Sequence, residues 1–341
     1  SMAEVRKKVD VNSETDLKEL EGRIRNLALK LGIARTEMAG LTAEAGASGI
    51  ALADLDRFMM LTGKAAIGWD MVPREASQAL AEIKTGMQMT IPEIETLADK
   101  INALGDNSAA KERDIVEMFQ RSGAAAKAAG VDMDTSLAFL TGARAMGIQP
   151  EIGARWWGIF TQRFSAGFKG KESKTALKAL GLDEKTLQSG MKSKPFETLM
   201  DFMERLEKHQ DKSKIARGLF GDEWSDETLR VLQGLAEIRK QRDMLRDPGK
   251  WRGSLEKGLE IQLGTTKNHL ERLKVLASEV GDRISRWTLP PINDGIEWLI
   301  AKFDSITNKS TVFSRNMAYL EGRFPEWFGK KDSGDKASAE K

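Results

Sequence analysis

The sequence has no cysteine and only two histidines among 341 residues. The first absence removes disulfides, thiolate metal sites and cysteine nucleophiles. The second leaves little room for imidazole chemistry. His209 and His269 sit in charged surroundings, and neither has a second histidine or a carboxylate at metal-ligand spacing. A Gly-x-Ser-x-Gly elbow is missing too. The run from Gly123 to Gly130 reads Gly-Ala-Ala-Ala-Lys-Ala-Ala-Gly and lacks the lysine–serine or lysine–threonine pair of a nucleotide loop. Carboxylates are plentiful, but any helical surface supplies them, so a pair such as Glu223 and Asp226 carries no weight alone. These absences predict a protein that is not an enzyme, with no cofactor and no metal site. Proline is scarce at 8, aromatics make up 6%, and there is one tyrosine. With abundant alanine, leucine, lysine and glutamate, that bias favours helices over sheets. No run reaches the roughly 18 apolar residues of a membrane span. The N-terminus is charged and lacks an apolar core, so no signal peptide is expected there.

Charge of one sign is lacking as well. Lysine and arginine number 53 against 51 acids, a net charge of +2, with both signs interleaved. No basic face marks a specific nucleic-acid partner. The most basic stretch, Lys169 to Lys194, reads as a solvated lysine-rich surface. What is present suffices for a sizeable core, since 40% of residues are apolar. The 31 glycines, far outnumbering the prolines, predict many short helix ends.

Leu17, Leu20, Ile24, Leu27, Leu31, Ala34, Met38 and Leu41 recur at spacings of three and four, which predicts one long helical seam capped at Ser13. From about Gly40 to Pro150, glycine turns punctuate short alanine-rich stretches at Gly49, Gly68, Gly86, Gly105, Gly130 and Gly147. Pro73 suits a first helical turn. Thr90 with Glu93 fits a capping box, and Asp132 or Asp134 fits a cap. Trp156, Phe160, Phe164 and Phe168 form one helical stripe, with Trp157 beside it. Such a stripe packs a core or presents an exposed partner site. Shorter helices are expected at 174–180, 184–189, 195–209 and 215–220, the last ended by Gly221. A second heptad runs Val231 to Leu245, Asp247-Pro248-Gly249 breaks it, and a third seam runs Leu259 to Trp287. The short break predicts an antiparallel hairpin. Beyond Pro290-Pro291 the chain is aromatic-rich, with Trp298, Phe303 and Trp327 as further candidate interaction residues. The face around Ile296–Phe303 also suits a bilayer surface.

The expected fold is all-α: an array of short alanine-rich helices plus heptad-patterned long helices in hairpins or bundles. The expected divisions are a long amphipathic helix over 1–45, a core of short helices over 46–222, a helical hairpin over 223–289, aromatic-rich amphipathic helices over 290–329, and a disordered tail over 330–341.

One ordered set of segments goes further. It runs Leu97-Ala98-Asp99-Lys100-Ile101-Asn102, Asp114-Ile115-Val116-Glu117-Met118-Phe119, Ala128-Ala129-Gly130-Val131-Asp132, Thr141-Gly142-Ala143-Arg144-Ala145-Met146-Gly147 and Leu180-Gly181-Leu182, followed by Leu219-Phe220-Gly221 and Pro290-Pro291. In that order they resemble the core domain of phage tail tape-measure proteins, over about residues 45 to 305. The resemblance implies a structural protein of a phage, prophage or phage-derived tail. It implies several copies in the lumen of the virion tail, assembly in the bacterial host cytoplasm, a part in setting tail length, and exit on genome delivery. Implied partners are the tail tube protein, baseplate hub proteins, the tail assembly chaperone and further copies of the chain. No catalytic residue is carried over. As one straight helix the chain would span at most roughly 510 Å at about 1.5 Å per residue, and its glycines and prolines prevent even that. A free-standing helical adaptor that binds through its aromatic stripes is the competing reading, and a cell-wall hydrolase is a further one.

Overall fold

The computed structural model describes residues 1–11 and 13–263. They fall within the first of two compact units, Ser1–Val275; the second, Leu276–Lys341, lies outside the described residues. Among the described residues there are sixteen helices and no strand, so the fold is all-α.

Local signals set most helix starts. Helix α1 (Met2–Lys8) opens with a capping box between Ser1 and Glu4. In α2 (Glu14–Leu31) the Ser13 hydroxyl accepts from Asp16 N at 3.1 Å. Helices α3 (Arg35–Ala47) and α4 (Leu52–Gly68) follow. Pro73 opens α5 (Pro73–Met87). Glu93 accepts from both the N–H and the hydroxyl of Thr90 at the start of α6 (Ile91–Asp106). After α7 (Glu112–Ala128), Asp132 caps α8 (Met133–Ala145) by accepting from Thr135 N at 2.9 Å. Pro150 opens α9 (Pro150–Ala166).

The punctuating glycines divide into two kinds. Gly49, Gly130 and Gly147 take positive φ and make the turn themselves. Gly68, Gly86 and Gly105 stay helical. Asp70 and Gln88 adopt positive φ beyond the first two, and α6 runs one residue past Gly105.

The predicted seam over Leu17–Leu41 is not one helix. Gly32 adopts φ 70° and ψ 28°, the left-handed stop of a helix, so α2 ends at Leu31 and α3 restarts at Arg35. The three–four spacing persists across the break because both helices bury a face in the same core. Leu20, Ile24, Ala28 and Leu31 do so from α2, and Met38 and Leu41 from α3.

Past α9 come α10 (Lys171–Ala179), α11 (Glu184–Ser193), α12 (Pro195–Lys208) and α13 (Lys212–Leu232). Gly221, with φ 77° and ψ 174°, breaks α13 into two helical pieces, so the expected stop at that glycine is there and a second piece starts directly after it. Helix α14 (Leu235–Arg246) begins only after Gly234, so Val231 belongs to the preceding helix and the second heptad is split. The single turn α15 (Pro248–Trp251) leads to α16 (Ser254–Leu263). Helix α14 packs on α8, whereas α16 packs on α4 and α6. The described part of the third seam therefore does not fold back on α14 as a hairpin; residues 264–289 lie outside the described residues.

Two helices carry long unbroken buried runs. Thr135 to Ala143 of α8 are all buried, and so are Met38 to Ala43 of α3. Around them one contiguous apolar core runs from Val5 to Leu259.

Candidate interaction site

The aromatic stripe lies in this core, but it is not wholly on one helix: α9 ends at Ala166, Gly167 turns the chain at φ 89°, and Phe168 joins the other four from the loop beyond. Trp156, Trp157, Phe160, Phe164 and Phe168 are each no more than 1% exposed. Phe160 stacks on Phe220 with centroids 5.3 Å apart and lies 5.0 Å from Trp156. Phe164 meets Phe202 edge-on at 4.8 Å, and Phe139 of α8 stacks on Trp157 at 4.9 Å. Trp156 Nε1 donates to Thr228 Oγ1 at 3.0 Å, and that hydroxyl donates to the Trp224 carbonyl at 2.9 Å. Of the two readings of the stripe, this geometry is core packing. Four helices (α8, α9, α12 and α13) send rings into one cluster, which leaves none of the five side chains a surface to offer. Trp298, Phe303 and Trp327 lie outside the described residues.

Shallow grooves mark the described surface. One, of about 600 Å³, runs between α7 and α9 past Ala125, Ala129 and Gly158. Its charges are matched locally. Arg121 bonds Glu117 at 2.8 Å, and Arg155 lies 3.9 Å from Glu223 with its guanidinium over the Trp224 ring. No group of three or more histidines and carboxylates could hold a metal ion among the described residues. His209 does local work, its Nδ1 accepting from Asp211 N at 3.0 Å just beyond α12; His269 lies outside the described residues. Lys169, Lys171, Lys174, Lys178 and Lys185 are exposed around α10 and α11, a solvated face. No helix among the described residues is long and apolar enough to cross a membrane.

Some of the buried polar groups bond their own helix, as Thr42, Thr62 and Ser122 do, and others join helices. Lys100, 7% exposed, donates to Asp134 at 2.6 Å and lies 4.9 Å from the Trp251 ring centre. Arg242 of α14 reaches Asp132 at 3.1 Å and Asp134 at 3.6 Å. The start of α8 is thereby tied to α6 and α14. Asp99 and Asn102 of α6 bond backbone around Gly253–Leu255 at the start of α16. Sequence spacing marked Asp99 and Asn102 only as parts of a motif, because their partners lie about 150 residues away.

The segments behind the tape-measure resemblance have definite places in this fold. Leu97–Asn102 lies in α6, the Ala128–Asp132 stretch is the α7–α8 turn, and Leu180-Gly181-Leu182 is the turn into α11 with Gly181 at φ 67°. Comparison with known proteins agrees with that resemblance. A relative described as a probable tape measure protein, from Halomonas phage phiHAP-1, is 26% identical over 247 residues. The match covers 69% of this chain and 29% of the relative, so the chain spans less than a third of that protein's length. No solved structure matches. Residues 23–221, more than half of the chain, match the family described as phage-related minor tail protein, and the chain belongs to that family.

Proposed function

We propose that this chain is the folded structural region of a phage tail tape-measure protein, acting in tail assembly, tail-length determination and genome delivery. The observation that carries the reading is the match over residues 23–221, a range that takes in the α6 motif, the α7–α8 turn and the Leu-Gly-Leu junction. The fold defines its share of that work. The longest described helix without an internal break, α2, has 18 residues, about 27 Å at 1.5 Å per residue. Helices this short, gathered on one core, make a body rather than a ruler. In this reading the length is measured by other parts of a longer protein, and this body is the part that tail tube, baseplate hub and assembly chaperone recognise, in several copies within the tail lumen. It serves as a structural part and not as a catalyst.

Mass spectrometry of purified particles tests this. Peptides from residues 23–221 should be present in intact tails and depleted after triggered DNA ejection. Particles that lack those peptides before ejection would overturn the proposal.

A further inference from the structure

Asp99, Asn102 and Asp106 lie on one stripe of α6, at spacings of three and four. The stripe faces α16. Asp99 accepts from the backbone N–H groups of Gly253, at 2.8 Å, and Leu255, at 3.1 Å. A cap residue does this for its own helix; here a carboxylate on another helix does it. Asn102 Nδ2 donates to Ser254 Oγ at 2.8 Å, to the Ser254 carbonyl at 3.2 Å and to Asp106 at 2.9 Å. Lys64 of α4 pairs with Glu256. Gly258 lets the helix lie close: a Cβ there would stand 3.1 Å from Asn102 Oδ1.

The apolar hold on α16 is slight. Its described residues bury Leu255 and Leu259 and half-bury Leu263, against nine buried residues in α8, and Ile261 is 73% exposed. Just before it stands a fixed point. Trp251 is buried, donates from Nε1 to the Leu245 carbonyl at 3.0 Å, and carries the Lys100 ammonium over its ring. Between that anchor and the strap lies Gly253, with φ 74° and nothing within 4 Å of where a Cβ would be. Anchor, joint, and a helix keyed mainly by polar groups follow in that order.

We propose that α16 is a hinged strap. It turns at Gly253, is held down by the Asp99–Asn102 clasp, and leaves the body as a unit while Trp251 and the core before it stay in place. The proposal rests on the packing of α4, α6, α15 and α16 alone and stands apart from the tail reading. It gives the aspartate and asparagine of the α6 motif a role in recognising a helix start.

The test uses the full 341-residue chain. Its lack of cysteine lets spin labels sit only at Ile261→Cys and Thr85→Cys. Two clasp variants are compared with the parent: Asp99→Ala with Asn102→Ala, and Gly258→Leu, which blocks close approach without removing a bond. Both should lengthen and broaden the label-to-label distance and speed amide exchange in 254–263 at least tenfold. Exchange in α8 and α9 should stay within twofold. A short bis-maleimide bridge between Lys64→Cys and Glu256→Cys should restore protection to the double-alanine variant. Unchanged distance and exchange would overturn the proposal. So would loss of protection through α8 and α9 as well, because α16 would then be part of the cooperative core.

Discussion

At the scale of single residues, the aromatic cluster and the buried polar atoms carry the sharpest consequences. Phe160 touches rings from three directions, with Trp156, Phe202 and Phe220 all within 6.1 Å. Truncating Phe160→Ala should cost about 3–5 kcal/mol in urea unfolding. Thr228→Val keeps the volume but orphans the Trp156 N–H, and should cost about 1–3 kcal/mol. Two carboxylates should respond to pH in opposite directions. Burial pushes the Glu112 carboxyl above its ordinary value, with repulsion from Asp106 and Asp114 adding to it. Its folded pKa exceeds the unfolded one, so the native state holds the proton longer and stability falls as pH rises through that interval. Glu112→Gln should therefore raise the unfolding midpoint at pH 7 and leave it unchanged below about pH 4, where the carboxyl is protonated. Glu44 is the reverse. Hydrogen bonds from Lys8 and then Arg74 hold it below its ordinary value. That stability is present above the unfolded pKa and is lost as pH falls through the folded one, so Glu44→Gln should lower the midpoint at pH 7 and matter little in acid.

At the scale of elements, legibility followed the range of the interaction. Caps at Ser13, Thr90 and Asp132 and the proline opening α5 could be read directly, because each acts within three or four residues. The break at Gly32 could not. A glycine inside a heptad fits a weakened helix as well as a stop, and the apolar spacing runs on past it because α2 and α3 share a core. The direction of the α9 stripe was equally hidden: a row of aromatics has the same spacing whether it faces inward or outward, and only Phe139, Phe202 and Phe220 from other helices settle it. The clasp at Asp99 and Asn102 was invisible for the same reason, its partners being far along the chain. Gly221 offers a test at this scale. Its φ of 77° with ψ 174° belongs to a region that is essentially glycine's alone. Gly221→Ala should cost about 1–3 kcal/mol and disturb exchange in both helical pieces of α13, whereas an alanine at the helical, unobstructed Gly158 should cost nothing or stabilise.

At the scale of the molecule, one core joins helices from α1 to α16. The innermost amides of α3 and α8 should then exchange by the same global opening, with equal free energies and equal sensitivity to denaturant. Two separate values would mean that the expected division near residue 45 is also a thermodynamic one. The same compactness sets the functional account: the family match lies on a folded body, and the chain spans 29% of a relative described as a probable tape measure protein. A body and a ruler respond differently to deletion. The decisive measurement is electron microscopy of particles whose full-length gene carries in-frame deletions, one removing residues 23–221 and others removing helical sequence outside this body. The account predicts that the first abolishes tails or leaves misassembled ones, while the others yield tails shortened in proportion to the helix removed. Normal tails of unchanged length from the first deletion would contradict it.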